Sequence, residues 1–218
     1  MTRHADLSVV LDHGLVAILR ANSGEELVSV AKALYEGGIR VLEVTFTVPN
    51  AVEVIAAVHK AMGDRILLGA GTVLDPETAR QAFLAGARFL VSPTVNLEVI
   101  RMALRYDKLV MPGAFTPTEI LTAWEAGADV VKVFPAEIGG PDYLKAVHGP
   151  LPQIRLMPTG GVNLETMPAF FAAGACAVGL GSSLVDKKAI ADKDFGRITE
   201  TAAAYVAKLQ EIRSQSQV

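Results

Sequence analysis

Ala126-Gly127-Ala128-Asp129-Val130-Val131-Lys132-Val133-Phe134-Pro135 decides the fold. A helix running up to this stretch stops on Ala-Gly-Ala, because glycine enters the left-handed conformation that ends a helix without a Cβ penalty. The apolar run that follows is β-branched and aromatic, and it has the length of a buried strand. The same triplet recurs at 85–87 and 173–175, each time just ahead of an apolar run. One helix-to-strand unit is therefore written more than once.

Working outward, short apolar runs return roughly every 20–25 residues, the spacing of one strand plus one helix. They are Val16–Arg20, Val41–Phe46, Ile66–Gly71, Phe89–Pro93, Leu109–Gly113, Val130–Pro135, Ile154–Thr159 and Ala177–Ser182. Helical periodicity fills the gaps. Glu25 to Tyr35 puts Leu27, Val30, Ala31 and Leu34 on one stripe, and Asp75-Pro76-Glu77 supplies an N-cap, a first-turn proline and an acid. Gly37-Gly38, Gly86, Gly127 and Gly174 close helices. These units predict a single (β/α)8 TIM barrel over residues 1–218, with an extra N-terminal helix over Leu7 to His13 that closes one end. The polar stretch from Arg213 to Val218 is expected to fray. An open dinucleotide-binding sheet is disfavoured, since Gly69-Ala70-Gly71-Thr72 lacks the third glycine of that turn.

Composition narrows the class. At 51% hydrophobic residues the 218-residue chain can bury one large core, and its net charge of −3 with scattered basic residues argues against a nucleic-acid partner. The apolar stretches are broken well short of a membrane span and no signal peptide opens the chain, so a cytoplasmic protein is expected. Cys176 sits among apolar neighbours and reads as an inert core thiol. His4, His13, His59 and His148 have no ligand spacing and read as surface residues; neither a metal nor any other cofactor is expected. A mean hydropathy of +0.37 hints at a buried subunit interface.

Two charges interrupt the apolar strands. Lys132 stands in Val130-Val131-Lys132-Val133-Phe134, and Glu43 in Val41-Leu42-Glu43-Val44-Thr45. Burial lowers a lysine's proton affinity, and a neutral amine attacks carbonyl carbon, so the pair reads as an amine nucleophile with an acid–base partner. A buried structural ion pair is the competing reading of Lys132 alone. Because strand side chains alternate, Lys132 and Phe134 share the inner face while Val131 and Val133 meet the helices. The strand ends, where such barrels react their substrates, also carry Arg20, Thr72, Pro93, Thr159-Gly160-Gly161 and Gly181-Ser182-Ser183. The glycine-bearing ends of the last two strands suit a phosphate. Arg20 could reach a carboxylate or a phosphate.

The chain resembles the 2-keto-3-deoxy-6-phosphogluconate (KDPG) and 2-keto-4-hydroxyglutarate (KHG) aldolases over nearly its whole length. The resemblance is carried by Val16-Ala17-Ile18-Leu19-Arg20-Ala21-Asn22, Leu42-Glu43-Val44-Thr45-Phe46-Thr47, Gly69-Ala70-Gly71-Thr72-Val73, Val91-Ser92-Pro93, Met111-Pro112-Gly113, Val131-Lys132-Val133-Phe134-Pro135 and Pro158-Thr159-Gly160-Gly161-Val162. It implies a metal-free homotrimeric barrel of the Entner–Doudoroff route, with a Schiff-base lysine at Lys132 and a catalytic glutamate at Glu43. It further implies pyruvate contacts at Thr72, Pro93 and Phe134, and a phosphate site at Gly160, Gly161 and Ser182 or Ser183, lined by Thr159. The implied reaction is class I cleavage of KDPG to pyruvate and glyceraldehyde 3-phosphate, or of KHG to pyruvate and glyoxylate. The galactonate-derived isomer of KDPG is an alternative substrate. Some members carry an arginine where this chain has Thr47, and the want of a cation there favours the carboxylate for Arg20. Sugar-phosphate isomerisation with Glu43 as base, and a non-catalytic or engineered assembly subunit, are the rival functions.

Overall fold

The computed structural model describes residues 2–21 and 26–215. Among the described residues there are nine short parallel strands, with helices between all but β5 and β6: β1 Leu15–Leu19, β2 Val41–Thr45, β3 Leu67–Gly71, β4 Phe89–Val91, β5 Leu109–Met111, β6 Gly113–Ala114, β7 Val131–Val133, β8 Leu156–Pro158 and β9 Val178–Leu180. All eight apolar runs contain a strand. The ninth arises because the fifth run is split at Pro112, which has no N–H for the ladder. Hydrogen bonding orders β5-β4-β3-β2-β1-β9 in one sheet and β6-β7-β8 in another, all pairs parallel. The parallel bridges Leu156↔Ala175 and Thr159↔Gly179 link the two. The result is a curled parallel sheet under a layer of helices.

The helices follow their local signals. Asp75 accepts from the Thr78 amide at 2.6 Å and caps the helix Pro76–Leu84, with the proline in its first turn. Gly38, Gly86, Gly127 and Gly174 all take φ between 98° and 109° just past helix ends. Leu27, Val30, Ala31 and Leu34 of the helix Leu27–Glu36 are buried; Glu25, where that helix was expected to start, lies outside the described residues, as does Asn22.

Three expectations are corrected. The N-terminal helix is longer than expected, Arg3–His13, because the Thr2 side chain accepts from the Ala5 amide and caps it. Leu7 and Val10 pack it against Val16, Val41, Leu67 and Phe89 at the starts of the strands. Asp6, 2% exposed, pairs with Arg88, and Arg3 reaches Asp129 at 2.7 Å. The last helix, Phe195–Gln215, continues past Arg213, whose guanidinium donates to the carbonyls of Leu11 and Asp12; residues 216–218 lie outside the described part. His13 is half-buried rather than a fully exposed surface residue. It accepts the Arg40 amide at 3.0 Å, and burial beside two arginines lowers its pKa to about 4.

The strands divide the apolar side chains between two layers. Val131 and Val133 join the large core shared with the helices, while Val130 and Met157 belong to the smaller inner cluster. Cys176 packs against that inner cluster, and burial pushes its thiol up to about 12, consistent with an inert sulfur. Above this apolar plug the inner positions turn polar, and the site begins there.

Candidate active site

Lys132 occupies the centre of β7, 3% exposed, level with Gly113 on one neighbour and Met157 on the other. Alternation sends Val131 and Val133 outward and leaves the lysine stem on the inner face. Its Nζ lies 4.9 Å from the centroid of the Phe134 ring. Burial holds its proton affinity below the usual lysine range; Arg20 adds to that effect and Glu43 opposes it. Glu43 sits in β2, 1% exposed, level with Ile18 and Gly69. Burial raises its pKa, with Lys132 and Arg20 pulling the other way. The two groups thus hold an amine that gives up its proton easily and a carboxyl that keeps one. That pairing suits proton exchange around a nucleophilic amine.

Close packing aims the carboxylate. A Cβ at Gly71 would come 2.6 Å from Glu43 Oε1, so only glycine leaves room beside it. Glu43 Oε2 is buried with no hydrogen-bond partner, and so is Thr159 Oγ1. Buried polar atoms are rarely left this way, because the desolvation cost is uncompensated. Both atoms are thus free to accept a partner from outside the chain. Gly71→Ala should therefore displace the carboxylate and lower kcat by about 100-fold, the typical cost of a 1 Å misplacement. Circular dichroism should meanwhile report a folded chain. A wild-type kcat for the alanine variant would mean that the carboxylate's position is not critical.

Thr72, just beyond β3, has φ +57°, unusual for a β-branched residue and the kind of backbone strain that collects at ligand sites. The Pro93 carbonyl faces Gly113, where a Cβ would approach it to 2.5 Å. Thr47 hydrogen-bonds the Thr45 hydroxyl at 2.7 Å, and Thr45 in turn donates to the Leu19 carbonyl.

A cavity of about 380 Å³ lies over the ends of β1, β8 and β9. Seven candidates from the sequence line it together: Arg20, Phe134, Thr159, Gly160, Gly161, Ser182 and Ser183. Lys132, Glu43, Thr72 and Pro93 are not among its walls; Phe134 connects the lysine to it. Gly160 and Gly161 take φ of +97° and +69°, and a Cβ on either would strike Glu137. Ser183 donates to the Val162 carbonyl at 2.8 Å and holds the loop; it and Ser182 are both exposed. Sequence reasoning missed Glu137 and Asn163 on this cavity, and the need for glycine at 71 and 179. Glu137 could have been found as a charge two residues past Pro135 at a strand end. The glycines could not, since their reason is a neighbour distant in sequence: Gly179 makes room for Thr159 Oγ1, 2.3 Å from where its Cβ would be.

Among the described residues no group of three or more His, Cys, Asp or Glu could hold a metal, and no helix is long and apolar enough to cross a membrane.

The family model described as "Aldolase: KDPG and KHG aldolase" matches residues 8–201. The chain belongs to that family. Membership makes it a carbon–carbon lyase, a class I aldolase of KDPG type. The 2-dehydro-3-deoxy-phosphogluconate aldolase of Treponema pallidum is 40% identical over 85% of this chain and 88% of its own length. The 2-dehydro-3-deoxy-6-phosphogalactonate aldolase of Escherichia coli is 37% identical over 90% and 95%. Among solved structures, a Legionella pneumophila KDPG aldolase with pyruvate captured as a covalent carbinolamine superposes with TM-score 0.85. It is 31% identical, covering 91% of this chain and 97% of that one.

Proposed function

We propose that this aldolase cleaves KDPG to pyruvate and glyceraldehyde 3-phosphate, with Lys132 as the Schiff-base nucleophile and Glu43 as the acid–base group. The observation that carries the reading is the buried Lys132–Glu43 pair, each group biased by burial toward its uncharged form. Lys132 Nζ attacks the C2 ketone to give a carbinolamine, and Glu43 supplies the proton with which water leaves. The resulting protonated imine is an electron sink. Glu43 then takes the C4 hydroxyl proton, the C3–C4 bond breaks, and its electron pair moves into an enamine as the aldehyde departs. Protonation at C3 and hydrolysis of the imine release pyruvate and restore the amine.

Thr72, Pro93 and Phe134 are assigned to the pyruvate half. Gly160, Gly161, Ser182 and Ser183 are assigned to the phosphate, with Thr159 Oγ1 reserved for a substrate oxygen between the two ends. Arg20 lines the same cavity as the glycine turn, which supports the phosphate rather than the carboxylate as its partner. Thr47, tied to Thr45, is no substitute for a cation.

The galactonate-derived substrate is a second reading, favoured by the nearly equal identities to the two named relatives. KHG cleavage is a further activity of the same site. We further propose a single domain whose two sheets close into one (β/α)8 barrel. The bridges between β8 and β9 and the bond from the Lys132 amide to the Pro112 carbonyl support closure. The helix Arg3–His13 would seal the lower end. Leu74, Leu84, Leu97, Tyr106 and Ile138 are exposed large apolar residues, in keeping with a homotrimer. A cytoplasmic location fits an enzyme of central carbohydrate metabolism.

Incubation with pyruvate and borohydride, followed by peptide mapping, tests the mechanism. An irreversible adduct on Lys132 is expected; an adduct elsewhere, or none, would overturn it. Parallel cleavage assays on the gluconate- and galactonate-derived acids decide the C4 configuration. Arg20→Ala should lower efficiency on the phosphorylated acid by about 10–100-fold, the worth of one charge-assisted hydrogen bond. Pyruvate trapping should hardly change. Weakened pyruvate trapping would return Arg20 to the carboxylate.

A further inference from the structure

The cavity does not end at Arg20. Ile18, Arg20, Gly181 and Ser182 also face an adjoining chamber of about 200 Å³, completed by Val185 and Lys187. Among the described residues, the charged groups of this chamber are Arg20 and Lys187, both cations. The neighbours of Lys187 are already engaged: Lys188 pairs with Asp192, and Asp186 faces Arg197 at 3.3 Å while capping the Lys188 amide. Among the described residues neither Arg20 nor Lys187 has a carboxylate within ion-pair distance. Two like charges lining one small chamber are best stabilised by an anion between them.

We propose that Lys187 is a specificity-determining residue that joins Arg20 in holding the terminal phosphate, and so selects phosphorylated 2-keto-4-hydroxy acids over those ending in a carboxylate. The inference rests on the phosphate reading of the cavity given above. Its physical basis is charge and donor count. A phosphate monoester carries about −1.5 to −2 charge near pH 7 and three strong acceptor oxygens. Such a group can take Ser182 and the glycine turn on one side while meeting two cations on the other. A carboxylate has one charge and two oxygens, and gains less from a second cation. Glu137 lines the larger cavity together with Arg20, so a single arginine would leave a dianion facing one cation and one carboxylate. Lys187 tips that balance.

The test compares Lys187→Gln with the wild type on KDPG and on unphosphorylated KHG. Lys187 is exposed, so the variant should fold. The ratio of kcat/KM on KDPG to that on KHG should fall by about 5–20-fold, mainly through KM, as for a partly screened charge-assisted contact. Added salt should erode the wild-type preference more than that of the variant. Lys187→Arg should restore the ratio, and Lys188→Ala, which alters a lysine paired elsewhere, should not move it. Inorganic phosphate should compete with KDPG less well in Lys187→Gln. Wild-type cleavage of KDPG with an unaltered ratio in Lys187→Gln would refute the role of Lys187 while leaving the site's reading intact. A wild type that traps pyruvate on Lys132 yet shows no preference for KDPG would refute both the phosphate assignment and this inference.

Discussion

Lys132→Met should abolish both cleavage and borohydride trapping of pyruvate while leaving the chain folded. The expected loss in turnover is at least about 10⁴-fold, since no second amine lies on the inner face of β7 to replace the nucleophile. Methionine fills nearly the same volume as the lysine stem, so the substitution leaves no cavity beside Phe134 and Met157. It also removes a charge whose burial is unfavourable. The folded chain holds the Lys132 proton less tightly than the unfolded chain does. Between those two values the unfolded state binds more protons, so this group makes stability rise with pH. Without it that rise is lost, and the variant should gain on the wild type toward the acid side of the window. Glu43, deprived of the ammonium that pulls its pKa down, should titrate still higher. Urea melts across pH, with the trapping assay on the same samples, check each point. Residual cleavage within tenfold of wild type would place the nucleophile elsewhere.

Much of this site can be read from the sequence because its signals are local. A lysine between valines is visible in five residues, and alternation alone puts it on the opposite face from Val131 and Val133. The glycines after the helices are equally legible, because a left-handed φ is a demand made by the turn itself. Pro112 carries a local signal too, since a residue without an N–H interrupts the ladder between Met111 and Gly113. What stays hidden depends on residues distant in sequence. Gly71 must be glycine on account of Glu43, and Gly179 on account of Thr159. His13 misled because its burial comes from the Arg40 amide and from the last helix, whose end looked too polar to be ordered. Arg20 could be placed at a strand end but not assigned to a substrate group, since that depends on which loops share its cavity.

Glu43→Gln should separate imine formation from bond cleavage. The amide preserves the shape beside Gly71 but cannot shuttle a proton, so trapping of pyruvate should persist at a reduced rate while turnover falls by about 10²–10⁴-fold. Stability should not suffer: the wild-type carboxylate is buried with one oxygen unpartnered, and a neutral amide is cheaper to bury. The pH dependence has a definite sign. Burial raises the Glu43 pKa in the folded chain, so between the usual carboxylate value and the raised one the folded state binds the extra proton. Stability is therefore lost as pH rises through that window, and glutamine removes the loss. The variant should gain on the wild type as pH increases, opposite in sense to Lys132→Met. The kinetic counterpart is the acid limb of kcat/KM, which reports groups of the free enzyme and should lose its Glu43 component in the variant. A turnover within threefold of wild type, with that limb unchanged, would make Glu43 a structural partner of Lys132 and require a base elsewhere in the cavity. Glu137 would then be the next carboxylate to test, since it lines the cavity beyond Phe134 and faces the glycine turn.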